Sequence, residues 1–266
     1  MMKQKLRHWL CIIFSELERG IFSVPFAAST LGTVAALFLG STALWFPDAK
    51  QLEDGLPWQY YLTVLDKGCR SEAFIFCLPL LAAFPAGISV LTELRNGFLK
   101  ASLPRCGRSP YVFSKVLLSV FTGGGSLGLG YLGAAGIMGL IYRPLAVAPA
   151  AESVSLWPQC LQQALTVFLA GALFALLAAV LGLLFRNRYM AFGGAFMVSY
   201  LLIIVTSRYL TDIYTVNPRE WFLQEHYWEG GYGGCAAFLG ELCIFMAMIY
   251  AELLFSRVGH GKRGCL

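Results

Sequence analysis

Residues 93 to 115, ELRNGFLKASLPRCGRSPYVFSK, form a short polar island between two long apolar runs. The island holds Arg95, Lys100, Arg105, Arg108 and Lys115 against the single acid Glu93. Gly97, Pro104, Gly107 and Pro110 break it into short helical pieces with a turn between them, since proline has no N–H to give a helix interior and glycine marks turns. A basic, turn-broken stretch flanked by apolar runs is a shaped loop at a membrane surface. The runs on either side are then membrane spans.

Composition supports this. Of the 266 residues, 58% are hydrophobic and 13% charged, with mean hydropathy +0.65. Soluble domains carry about a quarter charged residues, so the expected fold is an all-α polytopic membrane protein. Runs near the bilayer-spanning length of about twenty residues fall at roughly 21–46, 71–93, 112–141, 157–185, 189–207 and 232–256. The third is longer than a straight span needs, and tilt or a break at its glycines would absorb the excess. Pro79 and Pro85 in the second leave carbonyls free at membrane depth, so a kink is expected there.

Residues 3 to 19 set Leu6, Trp9, Leu10, Ile13, Phe14 and Leu17 at helical spacing, with charged residues mostly on the remaining face. That pattern predicts an amphipathic helix lying in the interface. The Leu10 to Phe14 run is too short for a signal-peptide core and the run from Ile21 too long. The expected organisation is an interfacial helix over 1–20, a six-helix transmembrane domain over 21–256 and a cytoplasmic tail over 257–266.

Lys and Arg set the orientation. With both termini inside, Lys3, Lys5, Arg7, Arg19, Arg95, Lys100, Arg105, Arg108, Lys115, Arg186, Arg188, Arg257, Lys262 and Arg263 lie on the cytoplasmic side. Only Lys50, Lys67, Arg70, Arg143, Arg208 and Arg219 remain outside, where most of the acids also fall. Bases spread over short loops in this way serve orientation, so the net charge of +5 does not indicate nucleic-acid binding. Two outer segments are more than turns. Residues 47 to 70 contain Trp58, Tyr60 and Tyr61, which suit an interfacial aromatic belt. Residues 208 to 231 contain Trp221, Phe222, Tyr227 and Trp228 and end in Gly230-Gly231; they form either a short interfacial or re-entrant piece or an aromatic-rich outer loop.

Chemistry-bearing motifs are few. Gly123, Gly125 and Gly128 satisfy G-x-G-x-x-G, but no strand precedes them, and the spacing of Gly124 and Gly128 instead suits close helix packing. No phosphate-loop signature occurs, so any energy coupling must come from a partner. The eight cysteines include no C-x-x-C pair, and the histidines are scattered, so no metal site is expected. Cys69, Cys160 and Cys235 fall near outer span ends; position permits a disulfide there, and they are read as small apolar residues that helices bury freely. Glu241 is the one acid deep in a span. It is either a functional carboxylate (proton relay, substrate contact or partner to a base) or a structural one hydrogen-bonded across the bundle.

The island resembles the cytoplasmic loop after the second span of type-2 ATP-binding-cassette (ABC) exporter permeases. A Glu (Glu93) ends an apolar helix, Gly97 follows four residues on, then Leu103-Pro104-Arg105, and Tyr111 and Lys115 enter the next apolar helix. The six-span layout, N-terminal helix and aromatic outer segment extend the resemblance over nearly the whole chain at low sequence specificity. The resemblance implies that Glu93, Arg95, Gly97, Lys100, Pro104, Arg105, Arg108, Tyr111 and Lys115 form an ATPase-coupling loop. It further implies two permease subunits, identical or paralogous, working with two ATPase subunits that bind the ATP and Mg. This chain would then hold no cofactor and no catalytic residue. It would sit in a bacterial plasma membrane among lipids and export a hydrophobic or amphipathic substrate: an antimicrobial peptide or lantibiotic, a drug or a lipid. Two other classes stay open: a stand-alone intramembrane enzyme acting on lipids or peptides, which needs facing ionisable groups at depth, and a channel or scaffold, which needs no shaped loop.

Overall fold

In hydrocarbon no water meets backbone N–H and C=O groups, so an apolar run must satisfy them within itself and becomes a helix. The computed structural model of the chain describes residues 2–46, 56–57, 60–86, 107–142, 144, 146–147, 157–210, 212–228 and 230–260. Among these the helices are α1 (Met2–Ile21), α2 (Val24–Gly40), α3 (Tyr60–Cys69), α4 (Glu72–Ala86), α5 (Arg108–Tyr142), α6 (Trp157–Phe185), α7 (Arg188–Arg208), the single turn α8 (Glu220–Leu223) and α9 (Tyr232–His260). The last four expected spans coincide with α5, α6, α7 and α9 to within a few residues. These four are each long and apolar enough to cross a membrane. The number rises to six if each of two bent pairs is one span: α1 with α2, bent by 53°, and α3 with α4, bent by 67°.

The helices share one register. α5 and α6 run antiparallel and touch backbone to backbone. A Cβ at Gly124 would lie 2.6 Å from the Phe168 carbonyl oxygen, and one at Gly171 would lie 3.0 Å from that of Gly123. Along the other side of α5, α2 runs parallel to it and the end of α1 meets its start. Glu16 meets Lys115, Ser29 meets Ser126, and the Tyr142 hydroxyl donates to the Trp45 carbonyl. α4 descends antiparallel to α2, with Leu81 against Gly32 and Ser71 against Gly40. The α6–α7 hairpin turns at Arg186, whose φ of 51° is left-handed, and Asn187 caps α7 by accepting from the Tyr189 N–H at 3.0 Å. α9 runs parallel to α6: Arg257 donates to the Leu183 carbonyl and Cys243 approaches that of Leu169. One end of the bundle, here the loop end, therefore gathers α1, the start of α5, the α6–α7 turn and the end of α9.

Several expectations need revision. α5 is unbroken over 35 residues, about 52 Å at 1.5 Å per residue, and Gly123, Gly124 and Gly130 are where it meets its neighbours, not where it breaks. Pro79 and Pro85 both lie inside α4. Pro85 cannot donate to the Leu81 carbonyl, and Ser29 Oγ donates to it instead at 2.8 Å, so a neighbouring helix satisfies the freed group. Part of the expected outer segment 47–70 is α3, which buries Tyr60, Val64, Leu65, Gly68 and Cys69. Tyr60 is packed edge-on against Tyr142 at 5.2 Å instead of lying in a surface belt. Trp58 lies outside the described residues. Among the described residues the only strands are a two-residue parallel pair, Leu56–Pro57 (β1) with Ala146–Val147 (β2).

The glycine contacts make a testable contrast. Gly124→Ala should destabilise the folded protein by about 1–3 kcal/mol through overpacking. Gly139→Ala, with nothing within 4 Å of its added Cβ, should be neutral or slightly stabilising because alanine favours helix. Thermal unfolding of both variants in detergent checks this, and equal melting temperatures would refute the close contact.

Candidate functional site at the loop end

Glu93, Arg95, Gly97, Lys100, Pro104 and Arg105, the body of the expected coupling loop, lie outside the described residues. Its last three positions are described. Gly107, at φ 79°, takes a left-handed conformation that glycine adopts without strain, and α5 starts at the next residue. Arg108 opens the helix and Pro110 sits in its first turn, where the missing N–H costs nothing. Tyr111 is buried, and one turn further Lys115 has no exposed surface.

Lys115 Nζ lies 2.7 Å from Glu16 Oε2 on α1 and 5.5 Å from the centre of the Tyr111 ring. Glu16 keeps 21% of its side chain exposed. The ammonium is thus enclosed by a carboxylate and an aromatic face, while the carboxylate still reaches solvent. Below this pair Gly20 of α1 packs on Leu118 and Thr122 of α5. The sequence marked Glu16 only as part of a polar helix face. Its partner is 99 residues away, and nothing in local spacing points to it. The one available signal is that Lys115 is the base placed furthest into a span.

Charge is distributed unevenly among the described residues. Arg19, Arg108, Lys115, Arg186, Arg188 and Arg257 share the loop end with Glu16, Glu18 and Glu252. The far end holds Lys67, Arg70, Arg208 and Arg219 with Asp66, Glu72, Asp212, Glu220 and Glu225.

At the far end a polar chain crosses the core. The Tyr131 hydroxyl donates to Gln163 Oε1, and Gln163 Nε2 donates to Asp66 Oδ1, each at 2.9 Å; Asp66 also pairs with Arg70 at 2.8 Å. It ties α3, α5 and α6 together, and sequence reading missed it because all three segments read as apolar or as loop. The aromatic segment before α9 is not a plain loop. Trp221 and Phe222 are buried, ring to ring with Phe174 of α6 at 6.0 Å and Phe74 of α4 at 5.5 Å. Trp221 Nε1 donates to the Thr215 carbonyl at 2.8 Å, His226 stacks on Tyr214 at 4.8 Å, and His226 Nδ1 lies 3.2 Å from Glu220 Oε2. Gly230 and Gly231, which lead into α9, both have positive φ. Cys69, Cys160 and Cys235 are buried and free.

Glu241 does not face the bundle. It is exposed on α9, between the exposed Ile244 and Phe245 on one side and Ala237 on the other. The structure therefore gives no support to a carboxylate hydrogen-bonded across the core. Compared with known proteins, the chain matches no family model and no curated sequence.

The buried pair sets up a double-variant experiment. Glu16→Ala takes the carboxylate away from the enclosed cation and should cost up to about 3 kcal/mol, whereas Lys115→Met leaves a carboxylate that can turn to water and should cost less. The double variant should recover much of the Glu16→Ala loss. Unfolding free energies of the three proteins test the coupling, and additive losses would refute it.

Proposed function

We propose that the chain is the membrane-spanning permease subunit of an ATP-driven ABC exporter. The observation that carries the reading is the latch at the loop end. The helix entered directly from the basic island is fixed to α1 through Lys115 and Glu16, and α1 continues into α2 along the length of α5. A partner pressing on residues 94 to 111 would move α5 and the bent α1–α2 pair together, which is what coupling to a separate machine requires. That partner is an ATPase subunit, two copies of which supply the ATP and Mg chemistry to a pair of permeases.

In this reading α2 and α4 are the first two of six spans, with α1 and α3 bent away from them by 53° and 67°, and both termini are cytoplasmic, in keeping with the bases gathered at the loop end. The N-terminal helix lies in the interface; the exposed Phe14, Ile21 and Phe22 suit that position, since they offer apolar surface to acyl chains. The membrane is the bacterial plasma membrane. The substrate is hydrophobic or amphipathic, with a cationic peptide favoured by the acids at the far end.

The test uses the chain with the ATPase encoded beside it. Arg105→Glu and Gly97→Trp should leave the protein inserted while uncoupling ATP hydrolysis from export, since removing one partner of a buried charge pair costs about 2–5 kcal/mol. Full ATPase binding and export by both variants would reduce the loop to a topogenic anchor. Separately, a cysteine placed beside Lys262 in a background without native cysteines should resist an impermeant thiol reagent in intact cells. Labelling there would reverse the orientation.

A further inference from the structure

α9 is the least buried of the four long helices, and the acid on its open face needs a counterpart. An isolated carboxylate facing hydrocarbon costs about 2.5–3.5 kcal/mol on insertion scales. α7 also has an open face, and both helices pack on α6, which gives them a common scale. Gly194 of α7 abuts Leu181 of α6, where an added Cβ would lie 2.9 Å from the leucine. Counting fourteen residues on from each, in opposite directions, Arg208 is level with Val167. On α9, Cys243 meets Leu169 and Arg257 meets Leu183, both 74 residues apart, so Glu241 is also level with Val167. Exposed Leu161 on α6 lies six residues further out, about 9 Å along the helix. Apolar surface therefore continues beyond the level of the acid.

The match extends along the helices. On the same scale Val205 is level with Ile244 and Leu201 with Met248. Arg208 and Glu241 are exposed, and Val205, Leu201, Ile244 and Met248 are 37%, 58%, 63% and 59% exposed. On each helix these positions follow a spacing of three and four, that of one continuous face. Taken in opposite directions the two faces are complementary: cation against anion, then aliphatic against aliphatic at the next two turns. α7 and α9 of one chain do not satisfy each other, since both are held on α6 with these faces outward.

We propose that a second copy of this chain covers these faces, α9 of each copy lying antiparallel against α7 of the other with Glu241 of one paired to Arg208 of the other. Copies inserted in the same membrane share an orientation, so a two-fold axis along the membrane normal makes the contact twice and keeps the levels aligned. Two ion pairs and two aliphatic seams then close around the axis. The pairing makes the second permease of the reading above an identical chain. Its test needs no ATPase, so failure of one reading is distinguishable from failure of the other.

The experiment uses the full chain in native membranes on a background lacking native cysteines. Differently tagged Leu201→Cys and Met248→Cys proteins, co-expressed, should form a cross-linked species carrying both tags, while Met248→Cys alone and the exposed control Leu140→Cys alone stay monomeric. Single-molecule photobleaching should show Glu241→Arg lowering the dimer-to-monomer ratio about tenfold, as facing like charges cost more than about 1.4 kcal/mol. Adding Arg208→Glu to the same chain should restore the ratio. No two-tag product, a Met248→Cys self-cross-link signifying α9 against α9, or failure of the charge swap to restore dimers would each overturn the proposal.

Discussion

The closest backbone approach among the described residues is that of α5 to α6 through Gly123, Gly124 and Gly171. Lipid tails are as apolar as leucine, so helices in a bilayer gain little from hiding aliphatic side chains from each other. What remains is van der Waals packing, best where small residues let backbones meet, and interhelical hydrogen bonds. The glycine contact supplies the first. The second is supplied by Tyr131 to Gln163 to Asp66 at the far end and by Ser29 with Leu81 and Ser126 nearer the middle. α2, α4, α7 and α9 then dock on a pair whose relative position is already set.

Much of the helix content was legible because it rests on one robust quantity, the length of an apolar run. The bounds of α6, Trp157–Phe185, could be read directly because the residues around it are plainly polar or turn-forming. Contacts were legible only in part. The spacing of Gly124 and Gly128 pointed to close packing, and Gly124 does meet Phe168; yet Gly136 and Gly139, equally visible in the same helix, meet nothing. A glycine announces permission for contact, and the rotation of the helix decides whether it is used. α3 was missed because Asp66, Lys67 and Arg70 made its segment resemble a loop. In the structure Asp66 and Arg70 pair with each other one turn apart, so charges that looked like loop signals support a helix.

The candidate site shows the same limit. Residue types at the start of α5 suggested a surface anchor, in which Lys115 would point to water as the positive-inside pattern usually implies. Its side chain is instead enclosed, because α1 returns across the loop end and brings Glu16 with it. No local pattern encodes a pair separated by 99 residues. Glu241 was legible as an acid inside a span, but the direction it faces was not: it is exposed on the open side of α9.

These two charged groups sit at opposite kinds of surface, and their surroundings suggest how the parts divide labour. Lys115 is tied to a neighbouring helix and an aromatic ring, so α1 and the start of α5 are held to each other at the loop end. The far end is built otherwise. Its aromatic segment enters the bundle through Trp221 and Phe222 but is joined to α9 by Gly230 and Gly231, both at positive φ, and glycine at such positions bends without steric penalty. In the proposed permease, a loop end tied by this ion pair and a far end entered through two glycines would let a displacement at the first be expressed at the second.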